Sequence, residues 1–158
     1  MKLKSVWVVL ALVVIATGIA AAAATGAFSA RGPGNEFTAT LNARQEVPRP
    51  RGTKRGASGQ FTGKLVRRAD REFLDWRLTY RRLSGRALQA HIHYGKPGKA
   101  GPIAVTLCTR CGRGSVAGQA LMATRRAVIA LRSGAVYVNV HTPKNPKGEI
   151  RGNIRRVG

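Results

Sequence analysis

Leu74, Trp76, Leu78 and Tyr80 stand two residues apart, with Asp75, Arg77 and Thr79 between them. Successive side chains on a strand point to opposite faces, so this spacing predicts a half-buried strand with its aromatic and aliphatic members turned inward. The same short alternation recurs along the chain. Phe37 to Leu41, residues 60–66, 87–94, 103–107, 136–142 and 149–154 each read as a strand, bounded by Gly, Pro or Asn. About seven short strands at this spacing predict an all-β, antiparallel β-sandwich. Residues 109–119 read as irregular and Gly-rich. Residues 124–132 form the single helical candidate, with Thr124 as N-cap and Gly134 near its C-terminal end.

All three histidines fall in two of these strands, in Ala90-His91-Ile92-His93-Tyr94-Gly95 and Tyr137-Val138-Asn139-Val140-His141-Thr142. His91 and His93 are about 7 Å apart along one strand face. That suits convergence on an ion whose nitrogen ligands lie roughly 2.0–2.1 Å away. His141 completes a three-histidine site if its strand is a neighbour, and such a site suits zinc or copper. Glu46 or Glu149 is the candidate carboxylate to fix an imidazole tautomer, and Asn139 is a further outer-layer candidate. The alternative is that the histidines only satisfy buried polar groups, with Glu149 paired to Arg151 or another nearby Arg.

Residues 1–29 read as an export signal. Lys2 and Lys4 precede an apolar run, and Ala27-Phe28-Ser29 places small residues at −3 and −1 of a cleavage site. An uncleaved membrane anchor is the alternative, and the only route to a membrane that the chain offers; residues 6–24 are about 28 Å long as a helix. Residues 30–35 then form a Gly/Pro linker, and residues 36–158 one domain, secreted or held in the cell envelope. Cys108-Thr109-Arg110-Cys111 is the one Cys-x-x-Cys. With an oxidising compartment expected and no second pair to complete a zinc tetrad, a structural disulfide is the better reading, contributing about 2 kcal/mol.

The 28 Lys and Arg against 6 Asp and Glu leave a net charge of +22. The basic residues are scattered as pairs, including Arg67-Arg68, Arg81-Arg82, Arg125-Arg126 and Arg155-Arg156. This predicts salt-sensitive adhesion to non-specific polyanions such as envelope polymers, through a diffuse field. Sequence-specific nucleic-acid recognition is not expected, because no recognition helix or aromatic platform is evident and Trp76 reads as core.

Taken together, Gln45-Glu46-Val47-Pro48, Leu78-Thr79-Tyr80, Leu83-Ser84-Gly85, the two histidine segments, Gly101-Pro102, Gly134 and Pro146-x-Gly148-Glu149-Ile150-Arg151-Gly152 resemble the CHRD domain. That domain is named from chordin and also found in bacterial exported proteins. The resemblance implies an immunoglobulin-like or superoxide-dismutase-like sandwich and little about activity. Chordin's role as an extracellular antagonist of growth factors has no counterpart to infer here. The histidine pattern is similar to the copper-site layout of copper/zinc superoxide dismutases, whose full site needs more histidines than this chain has. Hydrolytic signatures such as Gly-x-Ser-x-Gly and His-Glu-x-x-His are missing. The residues favour a non-enzymatic extracellular binding or structural module with a protein or envelope polymer as partner. A mononuclear copper or zinc enzyme and a polyanion-binding envelope protein are the alternatives.

Overall fold

The computed structural model describes residues 34–157. The export segment and residues 30–33 of the linker lie outside them. Strands β1 (Glu36–Asn42), β2 (Ser58–Arg68), β3 (Arg71–Arg81), β4 (Gln89–Tyr94), β5 (Ile103–Cys108) and β6 (Ser115–Leu121) precede helix α1 (Arg125–Arg132). Then come β7 (Val136–His141), β8 (Ile150–Asn153) and β9 (Arg155–Arg156). One antiparallel sheet runs in the order β5-β4-β7-β8-β1-β2-β3-β6, with β9 on β1. The outer strands β5 and β6 contact each other, so the sheet curls into a nearly closed, sandwich-like barrel around one core.

The alternation read from β3 holds. Leu74 and Leu78 are 0 % exposed and Trp76 and Tyr80 6 %, while Arg77 is exposed. Phe61 and Leu65 of β2 join them, as do Phe37 and Leu41 of β1, Ile92 of β4, Val138 and Val140 of β7, and Ile150. Helix α1 starts where expected, with the Thr124 hydroxyl accepting from the Ala127 amide at 3.1 Å. It packs Ala127, Ala130 and Leu131 inward. Gly134 follows it.

The described residues form nine strands, not about seven. The larger correction is β6, which falls within and beyond the stretch read as irregular. Its residues are mostly small and carry little strand propensity. They form a strand because β3 pairs with them from Phe73↔Leu121 to Thr79↔Ser115. Gly118 stands opposite Trp76, and a Cβ there would lie 3.1 Å from the indole ring. The small residue is a consequence of the large one packed on it. The other addition, β9, is a two-residue pairing to Phe37 and Thr38 just after the buried Ile154.

Candidate metal centre

Strands β4 and β7 are antiparallel neighbours, in the register Gln89↔His141, His91↔Asn139 and His93↔Tyr137. Period-two alternation sends Ala90, Ile92, Val138 and Val140 into the apolar core. It sends His91, His93, Tyr137, Asn139 and His141 to the opposite face. Both faces of β7 are buried, since every residue from Val136 to His141 is covered. The second face is therefore an enclosed polar layer.

In that layer one ring nitrogen from each of His91, His93 and His141 lies within 4.8 Å of the others. His91 and His141 are 6 % and 8 % exposed, and His93 is partly buried. Two backbone carbonyls orient the rings. His93 Nδ1 donates to Gly101 O at 2.9 Å, and His141 Nδ1 donates to Pro146 O at 3.0 Å, because a carbonyl can only accept. Those bonds leave Nε2 of both rings as the lone-pair nitrogen in the neutral form. His93 Nε2 is buried and has no hydrogen-bond partner among the described residues. His141 Nε2 accepts from His91 Nδ1 at 3.0 Å. It also faces Asn139 Oδ1 at 3.0 Å, placing two acceptors together.

Around the rings lie further buried polar groups. Tyr137 stacks on His93, with centroids 5.0 Å apart and planes 5° from parallel. The Arg151 guanidinium lies over the Tyr137 ring, 3.4 Å from its centroid, and its Nη2 donates to Lys96 O and Lys99 O. Glu46 is 1 % exposed and accepts from the Val47 amide, and its Oε2 has no hydrogen-bond partner among the described residues. A Cβ at Gly148, whose φ is +123°, would collide with the Glu46 carboxyl.

These surroundings set the protonation states. Burial, and then the neighbouring His141 and His93, pull the His91 pKa down to about 4. Burial lowers His93 and His141 as well, against the opposing pull of their carbonyl bonds. Burial raises Glu46 despite its bond from Val47 and the attraction of Arg151. All three imidazoles are held in the neutral form that a metal requires.

The outer-layer candidates divide. Asn139 lies within the cluster, and Glu46 lies beside Asn139 and near Arg151. Glu149 instead accepts from the Ser84 amide at 2.7 Å and from the Ser84 and Thr142 hydroxyls at 2.6 Å each. It bonds neither a histidine nor Arg151, and acts as a buried tie between two loops. The groups that do orient the rings, the carbonyls of Gly101 and Pro146, have no side-chain signature in a sequence. Only the Gly and Pro content of their loops marked them. Cys108 and Cys111 are disulfide-bonded at the end of β5, in a different part of the fold. With Zn–N distances of about 2.0–2.1 Å, tetrahedral donors lie roughly 3.3 Å apart, so small ring movements bring the three nitrogens onto one ion. Asn139 Oδ1 is in position to add an oxygen donor.

The residues that converge here, from Glu46 and Ser84 through the histidines to Gly148, Glu149 and Arg151, come from widely separated segments. The family model of the CHRD domain matches residues 37–154, which takes in all of them. No curated protein and no solved structure matched the chain. With most of its length accounted for by that model, the chain belongs to the CHRD-domain family.

Proposed function

We propose that the protein is an exported, non-enzymatic CHRD-domain module that holds one zinc or copper ion on His91, His93 and His141. The observation that carries this reading is the buried, partnerless Nε2 of His93, aimed into a cluster of two other imidazoles. An unpaired buried polar atom is costly, and coordination removes that cost. The two carbonyl bonds supply the outer-layer support that metal-binding histidines use. A cation on His141 Nε2 would also relieve its acceptor-to-acceptor approach to Asn139. Export is supported by the pattern of residues 1–29 and by a bonded cysteine pair, which suits an oxidising compartment.

The test is metal analysis of protein purified without a histidine tag, followed by thermal unfolding with added Zn²⁺ or Cu²⁺. At 100 times the dissociation constant, a bound ion stabilises by about 2.7 kcal/mol, a shift of several degrees. His91→Ala, His93→Ala and His141→Ala should each abolish it. Unperturbed imidazoles near pKa 6.5 would lose the metal below about pH 5. With His91 at about 4 and the other two also lowered, the response should extend further into acid. An undiminished metal response in the triple variant would overturn the proposal. Superoxide or peroxide turnover by the copper-loaded protein would replace the binding role with an enzymatic one.

A further inference from the structure

We propose that a cleft beside the C-terminal end of β3 is a specific binding site for the tetrahedral oxyanions, phosphate or sulfate, of a flexible polyanion. Two of the 6 acidic residues, Glu46 and Glu149, are buried. The other four are each spent on a neighbouring base: Glu36 on Lys64, Asp70 on Arg67, Asp75 on Arg68 and Glu72 on Arg132. They gather where β1 begins and around the first half of β3. From there β3 runs on to Arg81, and no exposed carboxylate stands at the far end of the strand among the described residues; the buried Glu149 lies behind it, bonded to Ser84.

At that far end is a cleft of about 430 Å³, rimmed by Lys54, Arg81, Arg82, Arg86 and Arg113. All five are exposed, and none forms an ion pair among the described residues. Among the described residues no acidic side chain lines it. Its floor is rigid. Tyr80, Leu83 and Ala87 are buried there. The Tyr80 hydroxyl donates to Cys111 O at 2.6 Å and the Tyr80 amide donates to Gly114 O at 2.9 Å. Ala87 bridges to Gly112, so the segment after the Cys108–Cys111 disulfide, and Arg113 with it, is clamped against β3.

Five cations held around one small concavity repel one another, and an anion entering it relieves that repulsion. Guanidinium forks match tetrahedral oxyanions in bidentate fashion. The excess of positive charge over any single phosphate favours a ligand carrying several, spaced along a chain. Scattered Arg pairs predict a diffuse field; the placement of the exposed carboxylates leaves the five cations of this cleft unneutralised within it.

The experiment uses inorganic polyphosphate as probe, with affinity measured at about 0.15 M salt, where exposed charges beyond roughly 8 Å are screened. Arg82→Gln with Arg86→Gln and Arg113→Gln should weaken binding on the order of tenfold more than a control triple, Arg49→Gln with Arg51→Gln and Arg155→Gln, which removes the same charge elsewhere. Equal losses in the two triples would overturn the site and leave only the field. A second measurement needs no variant. Bound polyphosphate should protect Lys54 from amine acylation well beyond Lys96 and Lys147, and uniform protection would overturn the proposal. Stronger competition by dextran sulfate than by polyphosphate at equal charge assigns a sulfated polymer, stronger competition by polyphosphate assigns a phosphorylated one, and equal competition assigns a site that takes either tetrahedral oxyanion.

Discussion

Strands β3 and β7 are written in the same pattern and end in different surroundings. Each alternates apolar and polar residues, and each turns its apolar face to the common core. The outer face of β3, with Asp75, Arg77 and Thr79, meets solvent and exposed side chains. The outer face of β7, with Tyr137, Asn139 and His141, is as buried as its inner one. Position in the sheet makes the difference. β3 lies next to the outer strand β6, while β7 is flanked by β4 and β8 and covered by the loops whose Gly101, Pro146 and Gly148 approach its polar face. Polar residues under a roof must be paired or neutral, and those on β3 need be neither. The alternation of a strand therefore tells which face is apolar, and not whether the other face is wet.

Substitution on the roof of β7 should break that comparison most visibly. Glu149→Ala strands the Ser84 amide and the Ser84 and Thr142 hydroxyls in a buried place, and should cost about 3–5 kcal/mol by denaturant unfolding. The inner faces should behave alike. Leu78→Ala on β3 and Val138→Ala on β7, both at 0 % exposure, should each destabilise by roughly 1–5 kcal/mol, more for the larger side chain.

Acid should separate the two outer faces without any mutation. His91 is depressed from 6.5 to about 4, so the unfolded chain binds the proton first. Its contribution is fully present above pH 6.5 and is lost as pH falls toward 4. Metal-free protein should therefore lose up to about 1.4 kcal/mol per pH unit in that window for each such histidine. Glu46, raised by burial, has the opposite sign: its contribution is present below pH 4.5 and fades as pH rises through its folded value. Replacing all three histidines should flatten the acid slope, and Glu46→Gln should steepen the net one. Persistence of the slope without the histidines would mean that the enclosed layer is not what titrates. At the small end, Arg77→Gln or Thr79→Val on the exposed face of β3 should change stability by no more than about 0.5 kcal/mol.

Much of the site was legible because histidines are few and share a pattern. His-x-His on one strand and a third histidine on another left little freedom once both were strands. What could not be read was the register between β4 and β7, which brings His141 opposite Gln89 and within 3.0 Å of His91. Nor could the choice between Glu46 and Glu149 be made. Both are buried carboxyls in motif segments, and only their neighbours distinguish them. Strand β6 was hidden for a different reason: small residues carry no alternation to read, and their conformation comes from the strand beside them.

By itself the sequence determined the all-β class, the inward faces of the strands, the helix with its Thr124 cap and the pairing of its two cysteines. These depend on period, on local hydrogen bonding and on proximity along the chain, all of which a linear pattern carries. The tertiary structure alone decided that the histidine face would be roofed over, that backbone carbonyls would orient the rings, and that the spent carboxylates would cluster away from one cationic cleft. Each of those is set by contacts between residues far apart in the chain, and burial and electrostatic energy depend on where such residues meet rather than on which residues they are.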